Sequence, residues 1–154
     1  MTIELCSGDL LRSSARALVN TVNCVGVMGK GIALQFKREY PVMFVEYASA
    51  CRRGLVVPGK VHVFTIGNAD RARHIVGFPT KYHWRDHSRL ADVEEGLVDL
   101  VRFVDEYRVE SIAVPALGCN NGGLDWCDVR PRIELAFEVV PWVKVELYPP
   151  QRVA

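Results

Sequence analysis

Short stretches in which apolar and polar positions alternate take turns along this chain with stretches in which apolar residues recur at helical spacing. Ile3-Glu4-Leu5-Cys6 reads as a short strand ended by Ser7-Gly8-Asp9, and residues 17–20 as an apolar second strand. Residues 32–40 carry Ile32, Leu34 or Phe36, and Tyr40 at helical spacing, with a stop expected near Pro41. A further helix is predicted over residues 42–53, closed by Gly54. Residues 61–66 form a strong strand and residues 74–78 another. Asn68-Ala69-Asp70 turns between them, so the pair is expected to be a hairpin. The longest helix is predicted over residues 90–107, with Leu90, Val93, Leu97, Leu100, Val101 and Val104 on one face. Ile112-Ala113-Val114 is a buried strand. Residues 126–139 are helical, with Pro131 either in the first turn or at a kink, and residues 143–148 alternate as the last strand before Pro149-Pro150.

The order β-β-α-α-β-β-α-β-α-β implies an α/β fold: a three-layer α/β/α arrangement around a mixed, largely parallel sheet. Ligands of such folds sit beyond the carboxyl ends of the strands. Two glycine-rich loops leave strands at that end. Asn20-Thr21-Val22-Asn23-Cys24-Val25-Gly26-Val27-Met28-Gly29-Lys30-Gly31-Ile32-Ala33 runs from a strand into a helix, and so does Pro115-Ala116-Leu117-Gly118-Cys119-Asn120-Asn121-Gly122-Gly123-Leu124. Such connections aim backbone N–H groups and the positive end of a helix dipole at one point, as a phosphate or pyrophosphate cradle requires. Neither loop matches a standard phosphate motif: Gly31 follows Lys30 where Ser or Thr is needed, and Leu34 stands at the third position of G-x-G-x-x-G. Two such loops in one small domain can clamp opposite sides of a diphosphate.

A chain of 154 residues is the size of one domain, and its 49% hydrophobic and 24% charged residues suit a globular protein. No apolar run approaches the roughly 18 residues that span a bilayer, and no signal peptide is visible. The expected location is the cytoplasm. Five cysteines without a C-x-x-C pair read as reduced thiols, and their spacing disfavours zinc. A net charge of +1 leaves a local nucleic-acid-binding patch open.

Gly8-Asp9-Leu10, the Ala-Leu-Val-Asn-Thr-Val-Asn strand, Gly29-Lys30-Gly31-Ile32-Ala33 and Leu117-Gly118-Cys119-Asn120-Asn121-Gly122-Gly123 resemble a macrodomain, the ADP-ribose-binding fold. Residues 23–31, together with Phe78-Pro79-Thr80-Lys81-x-His83-Trp84-Arg85, resemble more narrowly the macrodomain of DarG-type antitoxins. The resemblance implies one macrodomain over residues 1–150 and a C-terminal tail over 151–154. It also implies a further toxin-engaging domain in a full antitoxin, so the chain is expected to be either an excised domain or a stand-alone relative.

The implied activity is removal of ADP-ribose from thymidine in single-stranded DNA, with no cofactor. The implied partners are the modified DNA, ADP-ribose and a DarT-type ADP-ribosyltransferase toxin, with no membrane. Asp9 would accept a hydrogen bond from the adenine amino group beside the Leu10 amide, and Tyr148 would lie against the base. Gly29, Lys30, Gly31 and Ile32, with Leu117, Gly118, Cys119, Asn120, Asn121, Gly122 and Gly123, would wrap the diphosphate and distal ribose. Asn23 would bond the distal ribose and orient its C1″ side. Lys81 would assist departure of the thymine ring, either as an acid or electrostatic group or, with a lowered pKa, as a Schiff-base nucleophile.

Around Lys81, the cations and aromatics Arg71, Arg73, His74, Tyr82, His83, Trp84, Arg85, His87 and Arg89 would grip a single strand, with His83, Trp84 and Arg85 foremost. Residue chemistry alone leaves plainer readings open. Asp9 also suits a turn after Gly8, Lys81 a solvated surface, and Cys24 and Cys119 small buried side chains. Macrodomain hydrolases acting on acidic side chains pair a lysine with a second-loop aspartate, where this chain reads Asn-Asn-Gly-Gly; Asp125 is expected to cap the next helix instead. The alternatives are a non-catalytic ADP-ribose reader and a hydrolase of ADP-ribose on protein acidic side chains.

Overall fold

A computed structural model describes residues 2–68 and 71–151. The elements are β1 (Thr2–Leu5), β2 (Ala17–Val22), α1 (Gly31–Glu39), α2 (Pro41–Arg52), β3 (His62–Ile66), β4 (Arg73–Pro79), α3 (Leu90–Glu106), β5 (Ser111–Val114), α4 (Trp126–Phe137) and β6 (Lys144–Leu147). One short 3-10 turn, Leu10–Arg12, precedes β2. The strands form a six-stranded sheet in the order β1-β6-β5-β2-β4-β3, in which only β3 runs antiparallel, paired to β4. This is the mixed sheet expected of the alternating pattern. The hairpin is present, although Ala69 and Asp70 of its turn lie outside the described residues, as does the expected tail at 152–154.

Strand periodicity divides the core into two layers. Ala17 and Val19 of β2, Val76 and Phe78 of β4, and Ile112 and Val114 of β5 face α3 and α4. The intervening Leu18, Val22, Ile75 and Ala113 face α1, α2 and the 3-10 turn. Successive strand side chains point to opposite faces, so near-continuous apolar runs cover both sides of the sheet. The contact of α3 with the sheet depends on a small residue. A Cβ on Gly96 would run into the Phe78 ring, 2.8 Å from Cε1, so Ala at this position would push the helix off β4.

The sharp junction between α1 and α2 follows from Pro41. Its ring cannot continue α1, yet it fits the first position of α2, where the missing N–H has no intrahelical partner to lose. In α4, Pro131 stands inside the helix rather than in its first turn, and Asp125 caps the start by accepting a hydrogen bond from Cys127 N at 2.9 Å. The carboxyl ends of β2, β4 and β5 open together on one edge of the sheet, with both glycine-rich loops beside them.

Candidate active site

A cleft of about 620 Å³ opens at that edge, roomy enough for a nucleotide-sized ligand. It is lined by Thr21, Val22, Asn23, Val27 and Gly29–Ala33 from the first loop, by Thr80, Lys81, Trp84 and Arg85 beyond β4, and by Ala116 and Gly118–Gly122 from the second loop. Its charged lining is Lys30, Lys81 and Arg85, and no acidic side chain stands among the described residues around it. The cleft is therefore suited to an anion.

At the floor, α1 begins on Gly31 in the left-handed region (φ 57°), preceded by Lys30, whose side chain makes no capping bond. Open N–H groups at a helix start, with the dipole behind them, attract negative charge. The second loop closes over this helix start, and a Cβ on Gly31 would stand 3.6 Å from Asn121 Nδ2. The loop turns through Gly118 (φ 73°), and Leu124 N donates back to Gly118 O at 2.9 Å. Ser88 backs it from behind, donating its N–H to Gly122 O at 2.9 Å. A Cβ on Gly122 would collide with Ser88 Oγ and with Gly118 O, so the loop keeps this path only with glycine there.

Lys81 is placed by its main chain. The β2–β4 pairing continues past the strand ends through Thr80 N to Val22 O (3.1 Å) and Cys24 N to Tyr82 O (2.7 Å), which holds Lys81 beside Asn23. Its Nζ donates to Asn121 O at 3.4 Å, tying the segment beyond β4 to the second loop. Asn23 is 7% exposed. Its Oδ1 receives Val25 N (3.1 Å), Val27 N (3.4 Å) and Tyr47 OH (2.9 Å), while Nδ2 donates to Val27 O (2.7 Å). Most of the side chain's bonding capacity thus shapes its own loop.

Trp84 and Arg85 form the rim. The indole is 44% exposed, the Arg85 guanidinium lies 4.7 Å over it, and the His83 ring is 5.0 Å away. His83 does not line the cleft; it holds the turn, accepting from Arg85 N at 3.1 Å and donating its own N–H to Asp86 at 2.9 Å. Among the described residues no group of three His, Cys, Asp or Glu side chains is arranged to hold a metal ion.

Several expected residues lie outside the lining of this cleft. Asp9 accepts Leu11 N at 3.0 Å, lies 3.6 Å from Arg12, and borders a separate hollow of about 400 Å³ with Leu11, Arg12, Gln35, Arg38 and Glu39. Leu10 and Leu117 are buried in the two core layers, and Gly123 is exposed, with His87 beside it. Tyr148 packs against the α1–α2 layer and donates to Glu146 at 3.3 Å. Arg73 and His74 begin β4, about 25 Å along the chain from Lys81. Arg73 donates to Ser13 O and His74 bonds Thr65, so neither belongs with the rim.

Burial pushes the Cys24 thiol up to about 12 and Cys119 to about 11, which leaves neither as an available thiolate. Thr21, Val27, Thr80 and Ala116 line the cleft without having been singled out from the sequence; Thr80 alone had a signal, its place beside Lys81. Tyr47 and Ser88 act from outside the loops they support and carried none.

A family model described as Macro domain matches residues 19–133. The chain is 58% identical over 144 residues to a Mycobacterium tuberculosis protein named DNA ADP-ribosyl glycohydrolase, a match that covers 94% of this chain and 41% of the relative. It therefore spans about two-fifths of the length of that curated relative. Among solved structures, it superposes on the macrodomain of Mycobacterium tuberculosis DarG with a TM-score of 0.94 at 56% identity, covering 97% of this chain and 99% of that one. Thermosipho africanus DarTG in complex with ADP-ribose superposes with a TM-score of 0.90 at 31% identity, covering 99% of this chain and 43% of that one. With two glycine loops facing each other across one cleft and an agreement that runs through almost the whole of a solved relative, the chain belongs to the macrodomain family and, within it, to the DarG type.

Proposed function

We propose that this macrodomain removes ADP-ribose from thymidine in single-stranded DNA, reversing the product of a DarT-type ADP-ribosyltransferase and so acting as its antitoxin. The observation that carries the reading is Lys81 at the edge of a cleft whose charged lining is wholly cationic. Hydrolysis at an acidic side chain by a lysine–carboxylate pair lacks its carboxylate here. Two of the similar proteins described above, the DNA ADP-ribosyl glycohydrolase and DarTG in complex with ADP-ribose, support the same reading through their names.

The diphosphate lies over the start of α1 between Gly29–Ile32 and Gly118–Gly122, held by main-chain N–H groups. The adenosine end runs towards the hollow beside Asp9, and the distal ribose sits at Asn23. The thymine then reaches Lys81, Trp84 and Arg85. Water attacks C1″ as the bond to the ring imide nitrogen breaks, and the Lys81 ammonium stabilises or protonates the departing ring while the water proton is released. A base must leave the duplex stack to enter such a cleft, which favours single-stranded substrate, and stacking on Trp84 suits a neighbouring base. On this reading the domain works in the cytoplasm and repairs modified DNA. Among the described residues, no helix is long and apolar enough to cross a membrane.

The test offers the protein a single-stranded oligonucleotide with ADP-ribose on thymidine and a peptide with ADP-ribose on glutamate. Release from the oligonucleotide alone is the expected result. Release from the peptide alone would replace the substrate, and ADP-ribose binding without turnover on either would make the domain a reader.

A further inference from the structure

Asn23 lines the cleft, yet nearly every bond its carboxamide can make is already made. Two main-chain N–H groups converge on Oδ1, from Val25 at 3.1 Å and Val27 at 3.4 Å, so this atom is an acceptor and the amide cannot be reversed without facing donor against donor. Nδ2 spends one hydrogen on Val27 O at 2.7 Å. One N–H of Nδ2 is left without a partner, on a residue that lines the cleft. These local bonds come from a five-residue loop, but one partner comes from outside it. Tyr47, buried on α2, reaches up from the core with its hydroxyl 2.8 Å from Asn23 O and 2.9 Å from Oδ1. Its single proton is shared between the two oxygens.

We propose that Tyr47 is a positioning residue that locks the Asn23 carboxamide from below, so that Asn23 meets the ligand as a hydrogen-bond donor through Nδ2 and never as an acceptor.

The proposal rests on the ADP-ribose reading of the cleft. A ligand oxygen, such as a ribose hydroxyl, is the partner this polarity selects; a ligand donor has no free acceptor at Asn23. Burial raises the Tyr47 hydroxyl above its ordinary range, so it remains a donor at any pH at which the domain works. The neighbouring thiols Cys24 and Cys51 are likewise pushed up by burial and stay neutral beside it. Tyr47 makes no contact with the cleft and acts only through Asn23.

The test is a double-mutant cycle of Tyr47→Phe and Asn23→Ala, read both as turnover of the ADP-ribosylated oligonucleotide and as ADP-ribose affinity by calorimetry. Tyr47→Phe keeps the ring that fills the core and removes only the hydroxyl. It is expected to lower kcat about tenfold and to weaken ADP-ribose several-fold, as a misaligned group does. In the Asn23→Ala background, where only the main-chain oxygen at position 23 is left for the hydroxyl, both losses should be much smaller, because the carboxamide it positions is gone. Equal losses in both backgrounds, or no loss in the first, would overturn the proposal. If the wild type binds ADP-ribose without turning over DNA, the functional reading falls while the affinity cycle still decides the role of Tyr47. Should Tyr47→Phe fail to fold, the Asn23 side-chain amide protons of the wild type decide it by NMR. One is expected to be protected from exchange without ligand and the other to shift on adding ADP-ribose; two freely exchanging, unshifted protons would contradict the proposal.

Discussion

Lysine side chains on loops ordinarily keep their rotamer freedom in water, and fixing one costs up to about 2 kcal/mol. Lys81 meets that cost with help from its backbone, which the Thr80 and Tyr82 bonds to the β2 extension hold in place before the side chain adds its 3.4 Å bond to Asn121 O. Its ammonium therefore stands against the second loop, beside Asn121. The second loop is equally dependent on one atom that is missing. Gly122→Ala puts a methyl against Ser88 and the Gly118 carbonyl, and a main-chain oxygen cannot rotate away. The expected result is a loss of ADP-ribose affinity of about tenfold or more, with destabilisation of about 1–3 kcal/mol, checked by calorimetry and by denaturation. Affinity equal to the wild type's would mean that the loop does not shape the diphosphate site.

Helices and strands supply the frame, and their order was legible from periodicity because each buries one regular stripe. The face of α3 shows both the success and its limit. Val93, Leu97, Leu100, Val101 and Val104 are buried as their spacing predicts, but Phe103 and Gly96 also face inward, the latter because Phe78 of a distant strand needs the room. The positions of both loops and of Lys81 were legible for the same reason: they follow strand ends. Contacts from afar were not. No local pattern announces that Tyr47 on α2 holds Asn23, that Ser88 backs Gly122, or that Asp9 opens onto a hollow apart from the main cleft. Asp125 was readable, since a short acidic residue before a helical stretch is a cap. Asp125→Ala should cost about 1 kcal/mol of stability and leave turnover unchanged. A collapse of turnover would make Asp125 the carboxylate that the second loop lacks.

As a whole, the molecule buries ionisable groups near its site in their neutral forms, and this ties stability to pH. A thiol raised from its ordinary 9.0 to about 12, as Cys24 is, stays protonated in the folded state while the unfolded chain ionises. The unfolded state then binds fewer protons, so stability falls as pH rises from about 9 towards 12. Cys119, raised to about 11, and Tyr47 act in the same direction. Urea midpoints should drop between pH 8 and about 10.5, and Cys24→Ala should make the drop shallower. A midpoint independent of pH across that window would contradict the burial described. On the proposed function, the cleft is a catalytic centre that acts through Lys81. The most direct measurement follows single-turnover release of ADP-ribose from a single-stranded oligonucleotide by the wild type and by Lys81→Ala, with ADP-ribose affinity measured alongside. Release by the wild type and a loss of at least about a hundredfold in the variant are expected, with binding of free ADP-ribose retained. Equal release by both proteins, or loss of binding and release together, would contradict the proposed function.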